Sequence, residues 1–272
     1  MGVLMRVLRT LGEDALDRLD GLSGSDLTTL LLALMRRRAG ALSGPDVLRR
    51  YRSDRFVAPS SVPFGVLRAT EDRLLGALPS SFDVVGLAPV VPLGTCSAVA
   101  EMDQNNVLST IRGTEVAADV TNALALEAAV RRTGSDVRLA AVQRVVRAQR
   151  FDGAGQFAHF TLFGAVSAGR DRGSLAFERE HFAEHLSFLR EACGDVEVRV
   201  TVLDPRFEVL RGDLPANPSR QTGYYQGLCF KVLRDGVEIG DGGFVDWTQR
   251  LLGNRKERLL ICGVGVDRLA TL

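Results

Sequence analysis

What most narrows the fold of this chain is a run of strand-like segments that begins near residue 82 and continues to its last residues. "FDVVGLAPVVP", "NNVLSTIR", "VRLAAVQRVVRAQRF", "HFTLFGAVSAG", "VEVRVTVLD", "GLCFKVL" and "LLICGVGV" are rich in β-branched and apolar residues, as strands are. Between them, "EVAADVTNALALEAAVRR" and "LAFEREHFAEHLSFLREA" read as clear helices. A doubly wound nucleotide fold needs strand and helix in regular alternation. A succession of strands with few helices predicts instead a mainly antiparallel sheet in an α+β domain.

The first 50 residues have a different texture. They are helical in pattern, broken at "GLSGSD" and "ALSGPD", each a Ser/Gly cluster ending in an aspartate able to cap the next helix. "RFVAPSSVPF" then reads as an irregular connection, and "GVLRATEDRLLGALP" as an amphipathic helix stopped by Pro79. The expected organisation is a helical N-terminal segment over 1–50 and a core over 51–272. The apolar run Leu27–Met35 falls far short of the ~20 residues that cross a bilayer, so no membrane partner is expected. A net charge of +1 gives no electrostatic reason for an obligate nucleic-acid partner. Cys96, Cys193, Cys229 and Cys262 are too far apart in sequence for a metal-ligand spacing or a disulfide framework, which predicts a reducing, cytoplasmic setting.

Four stretches carry candidate chemistry. In "VQRVVRAQRFDGAGQFAHFTLF" two alternating strands flank a glycine-containing loop, which predicts a hairpin. Alternation puts Arg147 and Gln149 on one face and likewise pairs Phe160 with Leu162 on the returning strand. A planar cation beside a flat ring suits a nucleotide. In "SRQTGYYQGLCFKV", Arg220 precedes Tyr224 and Tyr225, which point to opposite faces if they enter a strand. "EIGDGGFVDW" offers glycines that permit close backbone approach. "GVGVDRL" turns a buried strand into a helix with Arg268 at its start.

In this order the pieces resemble a class II aminoacyl-tRNA synthetase catalytic core, nearest to histidyl-tRNA synthetase, over about residues 63–272. "FDVVGLAPVVP" is similar to the first class II motif, which implies a homodimer. "VLSTIRGTEV" resembles the segment that touches the amino acid, "VVRAQRFDGAGQFAHFTLF" the second motif, "RQTGYYQG" the histidyl arginine and tyrosine-pair element, and "GVGVDRL" the third motif. The resemblance implies that Arg147 holds the α-phosphate of ATP, Phe160 stacks the adenine and Arg268 meets the γ-phosphate. It gives Arg220 the charge that develops on the α-phosphate, and Glu115 a substrate ammonium. Magnesium would accompany the triphosphate.

This chain also departs from that pattern. Gln149 stands where the second motif has a glutamate that receives the adenine amino group; an amide oxygen can still accept that bond. Leu162 and Val166 stand where histidyl enzymes place a glutamine and a glutamate against the imidazole, so histidine is not the expected substrate. The glycine element lacks the family's arginine-tyrosine pair, and no anticodon-binding domain is expected after residue 272, so conventional tRNA recognition is not expected either. His181-Phe182-Ala183-Glu184-His185 also fits an inverted zinc-peptidase pattern, but charged positions of an amphipathic helix are expected to face solvent, and no metal site is assigned. Two functions remain open. One is an enzyme that activates an amino acid or similar carboxylate as its adenylate for a non-standard acceptor, such as a carrier or protein. The other is a non-catalytic paralogue, similar to the regulatory subunit of ATP phosphoribosyltransferase.

Overall fold

The structure, a computed structural model, describes residues 2–149, 158–217 and 223–272. The chain divides into two compact units, one of Met1–Ala58 with Ser109–Thr114, the other of Pro59–Leu108 with Glu115–Leu272.

The first unit is helical: α1 (Val3–Leu11), α2 (Ala15–Asp20), α3 (Gly24–Gly40) and α4 (Gly44–Ser53). None of the four helices has a buried residue. The N-caps lie three residues before the aspartates expected from the sequence. Ser23 and Ser43 are the N-caps, accepting from the Asp26 and Asp46 amides, and the Asp46 carboxylate accepts in return from the Ser43 amide at 3.0 Å. The serine hydroxyl is the shorter reach to the third amide, and the aspartate then closes the reciprocal bond.

The second unit is an α+β fold with its elements in the order α5 (Phe64–Gly76), β1 (Asp83–Val84), β2 (Val90–Pro92), β3 (Thr114–Val116), α6 (Val120–Arg131), β4 (Val137–Val146), β5 (His159–Arg170), α7 (Ala176–Cys193), β6 (Glu197–Val202), α8 (Glu208–Arg211), β7 (Gln226–Arg234), β8 (Val237–Val245), α9 (Trp247–Leu252), β9 (Glu257–Gly265) and α10 (Val266–Leu269). One sheet of seven strands runs β1-β4-β5-β9-β8-β7-β6. Every neighbouring pair is antiparallel except β1 with β4. The expected antiparallel sheet is therefore present. "FDVVGLAPVVP" yields two short strands, β1 and β2, rather than one long strand, because Pro89 and Gly86 break the ladder. "NNVLSTIR" supplies no strand of its own; Gln104–Asn106 is a single 3-10 turn.

Each face of the sheet has its own core. On one, α5, α7 and α10 contribute to a phenylalanine-rich cluster with Phe163, Phe177, Phe182, Phe188, Phe207, Phe230 and Phe244. On the other, the alanine-rich α6 and Trp247 of α9 lie over Leu139, Ala141, Val166 and Ile261. Alanines let the α6 backbone approach the strands closely. Gly164 of β5 allows it further, since a Cβ there would stand 2.5 Å from Val120 Cγ1. The α7 face also corrects an expectation: His181 and His185 are 0% and 1% exposed, turned into the core rather than to solvent. His185 Nε2 meets the Ser167 hydroxyl at 2.9 Å, and burial pushes its imidazole down to about 3. His181 Nε2 meets Asp136 at 3.1 Å. The helix presents its aromatic and imidazole faces to the sheet because both rings carry more apolar than polar surface.

Candidate functional site

Beyond α6, that face of the sheet is formed by residues of β5, β9 and β8. A cavity of about 210 Å³ lies there. The floor residues from β5 and β9, Phe160, Leu162, Ile261, Gly263 and Gly265, are of one parity on each strand. Leu162 of β5 pairs with Gly265 of β9, and Gly263 of β9 with Asp241 of β8, so these side chains share the face with Phe160 and Ile261. Gly263 keeps the floor low, since the nearest atom to a Cβ there is the Phe163 carbonyl at 3.8 Å.

Six of the residues singled out from the sequence line this cavity: Arg147, Phe160, Leu162, Tyr224, Tyr225 and Arg268. The Arg147 guanidinium lies 5.2 Å from the Phe160 ring centroid, within cation–π range. It donates to the Ala118 carbonyl at 3.0 Å and to Asp119 at 2.9 Å. Arg268, at the start of α10, donates to the Glu238 carbonyl on β8. Its neighbour Asp267 accepts from the Thr161 amide at 2.6 Å and the Ser60 hydroxyl at 3.1 Å, which fixes α10 to the beginning of β5.

The tyrosines do not divide between two faces. Strand β7 starts at Gln226, so both precede the ladder and turn to the same side, with ring centroids 4.7 Å apart. Tyr224 also packs 5.1 Å from Trp247, and burial raises both phenols above their ordinary range.

Three expected residues lie elsewhere. Glu115 is 0% exposed and accepts from the Cys96 amide at 2.6 Å, the Gly94 amide at 3.2 Å and Gln104 at 3.1 Å. Burial pushes its carboxyl upward, but these donors outweigh that and hold it below the ordinary range. It is a loop anchor, outside the cavity lining. Val166 is 0% exposed in the core, paired with Ile261 beneath the helical layer. Gln149 does not line the cavity either; β4 ends at Val146, so the alternation that would align it with Arg147 no longer holds. Arg220 lies outside the described residues.

None of the four described carboxylates in the lining, Asp119, Glu238, Asp241 and Asp267, was singled out from the sequence. Asp119 caps α6, accepting from the Thr121 amide at 2.9 Å and the Thr121 hydroxyl at 2.8 Å while facing the cavity. Its signal was available, an aspartate just before an alanine-rich helix with threonine two places on. Asp241 accepts from the Tyr225 hydroxyl at 2.8 Å, and burial raises its carboxyl to about 6. Its orientation depends on a bulge. Val232 of β7 pairs with Gly240 and Leu233 with Glu238, so Ile239 is an extra residue and Glu238 and Asp241 come to one face. No sequence pattern announced that insertion.

Among the described residues, the one His/Cys/Asp/Glu group tight enough for a metal ion is Asp136, Glu180 and His181, which is not the sequence motif and not in the cavity lining. Arg138 and Arg172 each hold Glu180, at 2.8 and 2.7 Å, so its charge is already answered.

No family model and no curated protein matches the sequence. Solved structures do match. An ATP phosphoribosyltransferase regulatory subunit/histidyl-tRNA synthetase from Bacillus halodurans is 14% identical with a TM-score of 0.60, over 79% of this chain and 81% of that one. Pyrrolysyl-tRNA synthetase from Desulfitobacterium hafniense is 16% identical with a TM-score of 0.55, over 83% of this chain and 73% of that one. No helix of the described residues is long and apolar enough to cross a membrane. The chain thus has the class II aminoacyl-tRNA synthetase type of fold.

Proposed function

We propose that the cavity binds ATP and activates an amino acid as its adenylate. The observation that carries this reading is the meeting of Arg147, Phe160 and Arg268 around one cavity, from a strand end, a neighbouring strand and the terminal helix. Two guanidinium groups over a floor opened by glycine suit a polyanion, and the Phe160 ring suits a base. In that reaction a carboxylate oxygen of the substrate attacks the α-phosphorus and pyrophosphate leaves, so the protein's part is positioning and neutralising charge. Arg147 would leave Asp119 to meet the α-phosphate, freeing that carboxylate for the substrate ammonium in place of Glu115. Magnesium would arrive on the triphosphate, where it screens the charge that the two arginines do not. The substrate, an amino acid or similar carboxylate, would then pass to a carrier or protein acceptor, and a homodimer built on the first motif belongs to the same reading.

ATP–pyrophosphate exchange across a panel of amino acids tests it, alongside equilibrium binding of ATP. Arg268→Ala is expected to weaken ATP binding by roughly tenfold or more, the scale of a lost charge-assisted hydrogen bond. Unchanged affinity in that variant would remove the reading.

One observation favours a second reading, a nucleotide- or ligand-binding subunit without catalysis. The glycine element lacks the arginine-tyrosine pair of the resembled family, and its Phe244 is buried in the phenylalanine core and brings no cation to the cavity. ATP binding without exchange on any amino acid is the outcome that reading expects.

A further inference from the structure

Among the described residues, four carboxylates line the cavity, Asp119, Glu238, Asp241 and Asp267, with two guanidinium groups. Three of the four are already satisfied. Asp267 is spent on the Thr161 amide and the Ser60 hydroxyl. Glu238 pairs with Lys231 at 2.7 Å. Asp119 pairs with Arg147 at 2.9 Å. Asp241 has a phenol and, among the described residues, no cation within ion-pair distance. Its cross-strand neighbours are Lys231, which is held by Glu238, and Gly263, which has no side chain. A carboxylate kept at a cavity floor with one neutral donor has unused acceptor capacity directed at whatever enters. Leu162 and Ile261 beside it supply apolar contact for a methylene stem.

We infer that Asp241, assisted by Tyr225, is the specificity residue for a positively charged substrate side chain, so that the amino acid taken by this cavity ends in an ammonium or guanidinium group. This rests on the adenylate-forming reading above and names its substrate class. Among the described residues, the titratable groups around Asp241 on its face of the sheet are Asp119 from the α6 cap, Arg147 beyond β4, Tyr224 and Tyr225 before β7, Lys231 and Cys229 of β7 and Glu238 of its own strand, while Cys262 of β9 lies on the opposite face. Burial raises the Asp241 carboxyl to about 6. A bound cation favours the ionised form, so its binding weakens as the pH falls below about 6 and is accompanied there by proton release.

The test is calorimetric titration of the full chain with ornithine, lysine and arginine and with their neutral counterparts norvaline, norleucine and citrulline, with and without a non-hydrolysable ATP analogue. The cationic probes are expected to bind roughly tenfold to a hundredfold tighter. Asp241→Asn is expected to erase that preference and the proton release. Tyr225→Phe keeps the carboxylate, so it is expected to keep the preference with weaker affinity, and it serves if the first variant does not fold. Equal or tighter binding of the neutral probes overturns the inference, as does a preference that survives in Asp241→Asn. Failure of the ATP analogue to bind the wild type strikes the adenylate reading instead, and the cationic preference without nucleotide still decides this one.

Discussion

Gly164 and Gly263 stand opposite each other on β5 and β9 and on the same face of the sheet, yet they have opposite surroundings. Above Gly164 lies α6, whose Val120 and Thr121 would collide with any Cβ; above Gly263 the nearest atom to a Cβ is backbone, at 3.8 Å. One glycine exists so that a helix can come down onto the strands. The other leaves space that no part of the second unit's core fills. The contrast marks where helix packing ends and the cavity begins on a single continuous surface.

The largest effect expected from breaking that contrast is functional. Gly263→Leu should fill the floor and abolish measurable ATP binding, while the melting temperature stays close to that of the wild type. An unaltered affinity would mean that nucleotide does not use this floor. Gly164→Ala should do the reverse. Forcing a methyl against Val120 costs about 1–3 kcal/mol of unfolding free energy, measured in urea, with ATP binding retained below the transition. The α7 face offers a smaller effect as a control, since its polar groups are enclosed. His185 is held at about 3 by burial against an ordinary 6.5, so the unfolded chain takes up a proton that the native state refuses. Stability is then complete above about pH 6.5 and falls as the pH drops toward 3. The loss between pH 7.5 and 5 is about 2 kcal/mol, and His185→Gln should flatten that part of the profile.

The same contrast explains how much of the molecule could be read from its sequence. Alternation and helix periodicity gave the antiparallel sheet and both long helices, because those patterns are local. The faces of α7 were misjudged, since His181 and His185 count as polar residues by type, yet each ring here finds one partner, Asp136 or Ser167, inside the core. At the cavity, Arg147, Phe160 and Arg268 stood out by motif. Glu115 attracted attention through its place beside a recognisable segment, although its carboxylate is occupied by backbone amides of Gly94 and Cys96. Asp119 was legible as a helix cap but not as a wall of the cavity. Asp241 was not legible at all, because its facing is decided by the extra residue Ile239, and a bulge has no signature in hydrophobic patterning.

The Asp267 carboxylate joins the first turn of α10 to the amide of Thr161, and so stands between Arg268 on one side and Phe160 on the other. Those two residues are therefore not independently hinged. A change at the Asp267–Thr161 bond therefore reaches both walls of the cavity at once, and neither wall can be moved by substitution without the other feeling it.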